Sequence, residues 1–150
     1  PFGEVLLLDW GLAKVRSEEG APSDIDDMSS ESLTEDPTMT GFQKLQGTIA
    51  YMSPEQIKKA PDIDGRTDIY SLGVVLYEAL TGVKPSLGDT MDKIKASTLN
   101  DIPITPSEIS TTPISQVLDD IVMQCLAKDA NKRMQSVGEL IRLLKEGLGV

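Results

Sequence analysis

The chain has 150 residues, 39% hydrophobic and 4% aromatic, with 24 acidic against 14 basic side chains, one cysteine and no histidine. A formal charge of −10 speaks against a nucleic-acid partner, because affinity for a phosphate backbone comes largely from Lys and Arg. Without histidine there is no Ser-His-Asp triad, imidazole metal site or histidine base, and with Cys125 alone there is no disulfide framework or multi-cysteine zinc site.

Chemistry is therefore left to carboxylates, hydroxyls and lysines. No apolar run approaches the ~20 residues of a membrane helix, and the first residues form no basic and apolar signal region. The reading is one soluble domain or part of one, in the cytoplasm. The chain opens at Pro1 without a methionine and enters a strand-like run almost at once, which predicts a segment of something longer.

Glu4 to Leu8 (EVLLL) is a short apolar run ending at Asp9-Trp10-Gly11, the pattern of a buried strand stopped by a glycine turn. Residues 17–37 then carry eight acids and no Lys or Arg, leaving sixteen acids and fourteen bases elsewhere. The acidity thus belongs to one Ser-rich segment with few large apolar residues, which cannot bury enough surface to offset its ordering entropy. It reads as a loop, and by composition alone as a solvated linker.

Ser53-Pro54-Glu55-Gln56 is a capping-box pattern with proline at the first helical position, predicting a short helix to about Lys59. The main helix is predicted over 67–80, with Thr67 as N-cap, Asp68 at the positive end and Thr81-Gly82 as the stop. Its apolar residues cover nearly the whole circumference, so it should be buried on most sides. Residues 83–112 read mostly as loop, with a weak helical stretch over 90–96. Ser115 caps a helix to about Ala127 whose apolar face includes Cys125, read as a small buried hydrophobe. Ser136-Val137-Gly138-Glu139 is a second capping box, opening a helix that ends before Gly147. The sum is a mainly α body with one N-terminal strand.

Asp9-Trp10-Gly11 alone is as consistent with an ordinary turn as with a carboxylate held at a strand end to bind a divalent cation. Its order with later motifs narrows the choice: Gly47-Thr48-Ile49-Ala50-Tyr51-Met52-Ser53-Pro54-Glu55, then Asp68-Ile69-Tyr70-Ser71-Leu72-Gly73, then Asp129-Ala130-Asn131-Lys132-Arg133. With these, the chain resembles the C-terminal part of eukaryotic-like (Hanks-type) serine/threonine protein kinases, in a wording closest to bacterial members. It carries Asp-Phe-Gly in a Trp10 version, Ala-Pro-Glu in a Ser53 version, and the aspartate of the long central helix.

The resemblance implies the helical C-lobe portion of the kinase fold, a partial domain over 1–150 without the N-lobe, in which 12–47 is the activation loop including the acidic insert 17–37. It implies that Asp9, with Gly11 in the same motif, serves ATP and Mg2+, with Asp9 as the metal ligand. Thr48 is implied to be the hydroxyl of the substrate-receiving wall that contacts catalytic residues and favours Ser or Thr as acceptor. Glu55 is implied to pair with Arg133, and Asp68 to accept backbone N–H groups of a catalytic loop upstream. The family's glycine-rich loop, strand lysine and catalytic-loop motif all precede Asp9 and are not in this sequence.

The fragment alone is accordingly expected to be inactive, and to need its upstream kinase half as a partner beside a protein substrate. An unpaired strand and an uncovered apolar helix predict a homo-oligomer. Thr38 and Thr40, past the acidic cluster and nearer Lys44, are better candidate phosphosites than the acid-flanked Ser29 to Ser32. The alternative is a pseudokinase scaffold or interaction module.

Overall fold

The computed structural model describes residues 47–149, all within one compact unit that spans Asp36–Val150. The expected strand at 4–8 and the acidic insert lie outside the described residues, as do Asp9, Gly11, Thr38 and Thr40. Among the described residues every regular element is helical. These are α1 (Pro54–Ile57), α2 (Arg66–Thr81), α3 (Met91–Asn100), α4 (Pro106–Ile109), α5 (Gln116–Cys125), a 3-10 turn (Ala130–Lys132) and α6 (Val137–Leu148).

Local capping sets most of the boundaries. Ser53 Oγ accepts from Gln56 N–H while Gln56 reaches back to Ser53 N–H, completing the box that opens α1. Gly82, at φ 73°, closes α2 in the left-handed conformation that glycine adopts without steric cost. Thr90, Ser115 and Ser136 cap α3, α5 and α6.

Several expectations need correction, the loop expected after Ala96 among them, since it holds the short helix α4. Thr67 does not cap α2: the helix starts one residue earlier, Asp64 Oδ1 accepts the Arg66 N–H, and the Thr67 side chain turns inward instead. α3 runs to Asn100, beyond the expected Ala96, because Ser97 and Thr98 are buried and hydrogen-bonded against the preceding loop. Burial there overrides the weak helix propensity of Ser and Thr. The second capping box closes only by half: Ser136 Oγ takes the Glu139 N–H, but the Glu139 carboxylate takes the N–H of Gln135, not of Ser136. Finally, α6 passes through Gly147 to Leu148, and a Cβ at 147 would stand 2.9 Å from Val117 Cγ1. That glycine serves the close approach of α6 to α5.

α2 is the post of the fold and packs against α4 and α5, while α6 closes over α5. One core cluster joins Ile69 to Ile121, Cys125, Met134 and Leu140; another joins Tyr70, Val74 and Tyr77 to Val122 and Leu126. Gly73 makes the α2–α5 contact possible, because a Cβ there would lie 2.6 Å from Cys125 Cβ. Cys125 is fully buried, and burial pushes its thiol up to about 11, which leaves it protonated and inert at neutral pH. A third, smaller cluster sets Ile49 and Ala50 against Ile94 of α3.

The circumference of α2 is not buried as evenly as its composition predicts. Leu72 is 38% exposed and Val75 51%, and with Asp68 and Ala79 they form an exposed stripe at helical spacing. Ile69, Tyr70, Gly73, Val74 and Tyr77 occupy the buried side.

Candidate functional site

The Gly47–Glu55 segment is a wall built on α2. Its first residues make a tight helical turn in which Tyr51 N–H donates to the Thr48 carbonyl and Met52 N–H to that of Ile49. Ser71, in α2, donates its hydroxyl to the Tyr51 carbonyl at 2.9 Å. Tyr51 Oη donates to Glu78 Oε2 at 2.5 Å, and Lys84 Nζ lies 4.8 Å above the Tyr51 ring. The hydrogen bond to that carboxylate, with some burial and the carboxylate's charge, pushes the Tyr51 phenol up to about 12, so it stays a donor. Thr48 has an exposed side chain within this turn.

The far end of the wall is fastened by Glu55. Arg133 Nη1 and Nη2 donate to its two carboxylate oxygens at 2.5 and 2.7 Å, a bidentate pair across 78 residues. The arginine side chain is fully buried and that of the glutamate 16% exposed. Arg133 Nε donates to the Ala127 carbonyl, Nη1 also to that of Arg66 and Nη2 to that of Lys128. All five N–H groups of the guanidinium are thereby used, the condition under which a buried charge is tolerated. Its Cζ lies 5.0 Å from the Tyr70 ring centroid.

Thr67 Oγ1 donates to Glu55 Oε1 at 2.8 Å and lies 3.3 Å from Ser53 Oγ. Burial pushes the Glu55 carboxyl up, but the hydrogen bonds from Arg133, the backbone and Thr67, with the charge of Arg133, outweigh it and hold it near 2.

Glu55 and Arg133 therefore meet as the family resemblance implies, with Thr48 in the same wall. Asp68 is exposed in the first turn of α2, one residue after the threonine that touches Glu55. No described hydrogen bond joins the Asp68 carboxylate to the Glu55–Arg133 pair. Two participants escaped the sequence reading, Thr67 as a donor to Glu55 and Glu78 as the acceptor for Tyr51. Glu78 did leave a trace: a carboxylate near the negative end of an apolar helix is disfavoured by the helix dipole unless a donor holds it. Among the described residues no group of three or more Asp, Glu or Cys side chains is placed to hold a metal ion. No described helix is long and apolar enough to cross a membrane.

The order of wall, central helix and arginine turn has close counterparts in known proteins. The chain is 38% identical over 144 residues to serine/threonine-protein kinase PknD of Protochlamydia amoebophila, covering 94% of this chain and 14% of that protein. It is 36% identical over 136 residues to serine/threonine-protein kinase PknB of Mycobacterium leprae, covering 91% of this chain and 19% of the relative. The chain thus spans less than a fifth of the length of these relatives. In structure it resembles the twitchin kinase region from C. elegans, with a TM-score of 0.56 and 24% identity over 65% of this chain and 17% of that one, a likeness of fold. The family model described as the protein kinase domain matches residues 2–142, and the chain belongs to that family.

Proposed function

We propose that this chain is the C-terminal lobe of a serine/threonine protein kinase whose complete catalytic domain transfers the γ-phosphoryl group of ATP to a Ser or Thr of a protein substrate. The observation that carries the reading is the Glu55–Arg133 pair, with every guanidinium N–H engaged, which fastens the Gly47–Glu55 wall to the C-terminal helices. In this reading the wall receives the substrate, Thr48 faces the acceptor side, and Asp68 holds backbone N–H groups of a catalytic loop supplied from upstream. The exposed Leu72–Val75–Ala79 stripe beside Asp68 supports that last assignment, since an apolar helix face with a carboxylate at its head suits an apolar helix ending in a donor-rich loop.

Residues 12–47 are the activation loop of this reading, with Thr38 and Thr40 as its switch sites. Mg2+ and ATP enter through the family resemblance at Asp9 and Gly11. When bound, the metal would offset charge on the transferring phosphoryl group. Because phosphoryl transfer depends on many positioned groups acting together, the 150-residue chain alone is inactive. Its open stripe makes it self-associate, and a monomer by light scattering across the micromolar range overturns that part.

The test is a phosphoryl-transfer assay with Mg-ATP and a generic Ser/Thr substrate on three proteins: this chain, an upstream-extended form, and the extended form with Asp9→Asn. Activity confined to the extended form and lost on Asp9→Asn is expected. An extended form that stays inactive with its activation loop phosphorylated overturns the transfer reading in favour of a scaffold.

A further inference from the structure

The turn that carries Arg133 is gripped by a second arginine. Arg66, the first residue of α2, donates from Nε to Asp64 Oδ1 at 2.9 Å and from Nη2 to Asp64 Oδ2 at 2.8 Å, a fork on the carboxylate that also accepts its backbone N–H. Its Nη1 reaches the other way, donating to Asn131 Oδ1 at 2.9 Å and to Gln135 Oε1 at 3.3 Å, across 65 and 69 residues. These two acceptors bracket Arg133 in sequence.

The bracket is itself tied down. Asp129 accepts the Asn131 N–H at 2.9 Å at the head of the 3-10 turn, and Gln135 Nε2 donates to the Arg133 carbonyl at 2.6 Å. The Gln135 N–H goes to Glu139 Oε2 in the first turn of α6. The Arg66 carbonyl accepts Arg133 Nη1 at 3.0 Å, and the next residue, Thr67, donates to Glu55. Arg66 therefore holds the arginine turn by side chain and by backbone, while its neighbour holds the other half of the buried pair.

The local partner Asp64 would by itself satisfy the charge of Arg66, and a half-exposed pair of that kind contributes little to stability. The two distant amide acceptors are the informative feature. A planar guanidinium can serve a carboxylate on one edge and two amide oxygens at its remaining corner, whereas an ammonium cannot span all three.

We infer that Arg66 is a positioning residue of the wall: its fork fixes the 130–135 turn against the head of α2, so that Arg133 meets both oxygens of Glu55. The inference rests on the proposed reading of the wall as the part that receives the substrate, and deepens it by naming a residue outside the wall that sets its place. Arg66 acts through Arg133 and Glu55.

The test uses two variants. Arg66→Lys keeps the charge and loses the fork, and Asn131→Ala, at an exposed residue, removes the nearer distant acceptor and keeps the comparison open if Arg66→Lys does not fold. Each is unfolded chemically from pH 7 to pH 2, with and without Glu55→Gln. Asp64 and Asp129 face the Arg66 charge together with Glu55, and the difference against Glu55→Gln isolates the Glu55 share. That share, present above pH 4.5 in the parent chain, should fall to less than half in either variant, and Asn131→Ala should add little to Arg66→Lys. An arginine that only steadied its own helix would lower stability equally at every pH and leave the Glu55 share whole, which overturns the inference. In the upstream-extended form Arg66→Lys should raise KM for the protein substrate roughly fivefold with KM for ATP unchanged. An active extended form with an unchanged protein KM also overturns it. An extended form that transfers no phosphate counts only against the transfer reading, because the Glu55 share still decides whether Arg66 places the pair.

Discussion

Two arginine–glutamate pairs among the described residues have similar closest distances and opposite roles. Arg133–Glu55 and Arg142–Glu146 have closest N–O distances of 2.5 and 2.8 Å. The first joins residues 78 apart in sequence, with a fully buried arginine. The second joins i and i+4 on the outer face of α6, with both side chains nearly 60% exposed. Distance therefore says little about what an ion pair does. The buried pair holds two distant segments at a fixed separation and leaves a stranded charge if one partner goes, whereas water replaces either partner of the exposed pair.

Three experiments press on this contrast. Arg133→Ala should have the largest effect, a loss of about 3–5 kcal/mol in chemical denaturation, because it strands the Glu55 carboxylate and removes the donors to three carbonyls. A loss below about 1 kcal/mol would mean that water reaches Glu55 and that the wall is not fastened as described.

The second experiment is acid titration of stability. Glu55 is held near 2 in the folded chain against its ordinary 4.5, so the folded state favours its deprotonated form. Its contribution is fully present above pH 4.5 and is lost as pH falls from about 4.5 towards 2. Glu55→Gln should flatten that limb of the stability curve, and an unchanged acid limb would refute the assignment. The smallest effect belongs to Arg142→Ala, at most about 0.5 kcal/mol and fading with added salt. A larger, salt-independent loss would show that α6 depends on that pair.

A similar contrast runs around α2. Its apolar residues look alike in sequence, yet Ile69, Val74 and Tyr77 lie in the core while Leu72 and Val75 meet solvent. Periodicity reports that a helix has apolar faces and cannot say which neighbour covers each. Leu72 and Val75 are the uncovered apolar face expected of this helix, but their place on its circumference was not legible. Thr67 was misread for a related reason: as a residue before an apolar run it looks like a cap, but Glu55, twelve residues earlier, lies close enough to take its hydroxyl.

The sequence by itself determined the helical character of the described body, the caps at Ser53, Ser115 and Ser136 and the Gly82 stop, and its resemblance to the family implied the partnership of Glu55 with Arg133. The caps are legible because their hydrogen bonds close within three residues, so composition over a few positions decides them. Only the tertiary structure decided that Tyr51 meets Glu78 27 residues away, that α3 continues to Asn100 and α6 through Gly147, and that Arg66 reaches Asn131 across 65 residues. Those features depend on contacts between segments far apart in the chain, which exist only once α2 has brought its neighbours together.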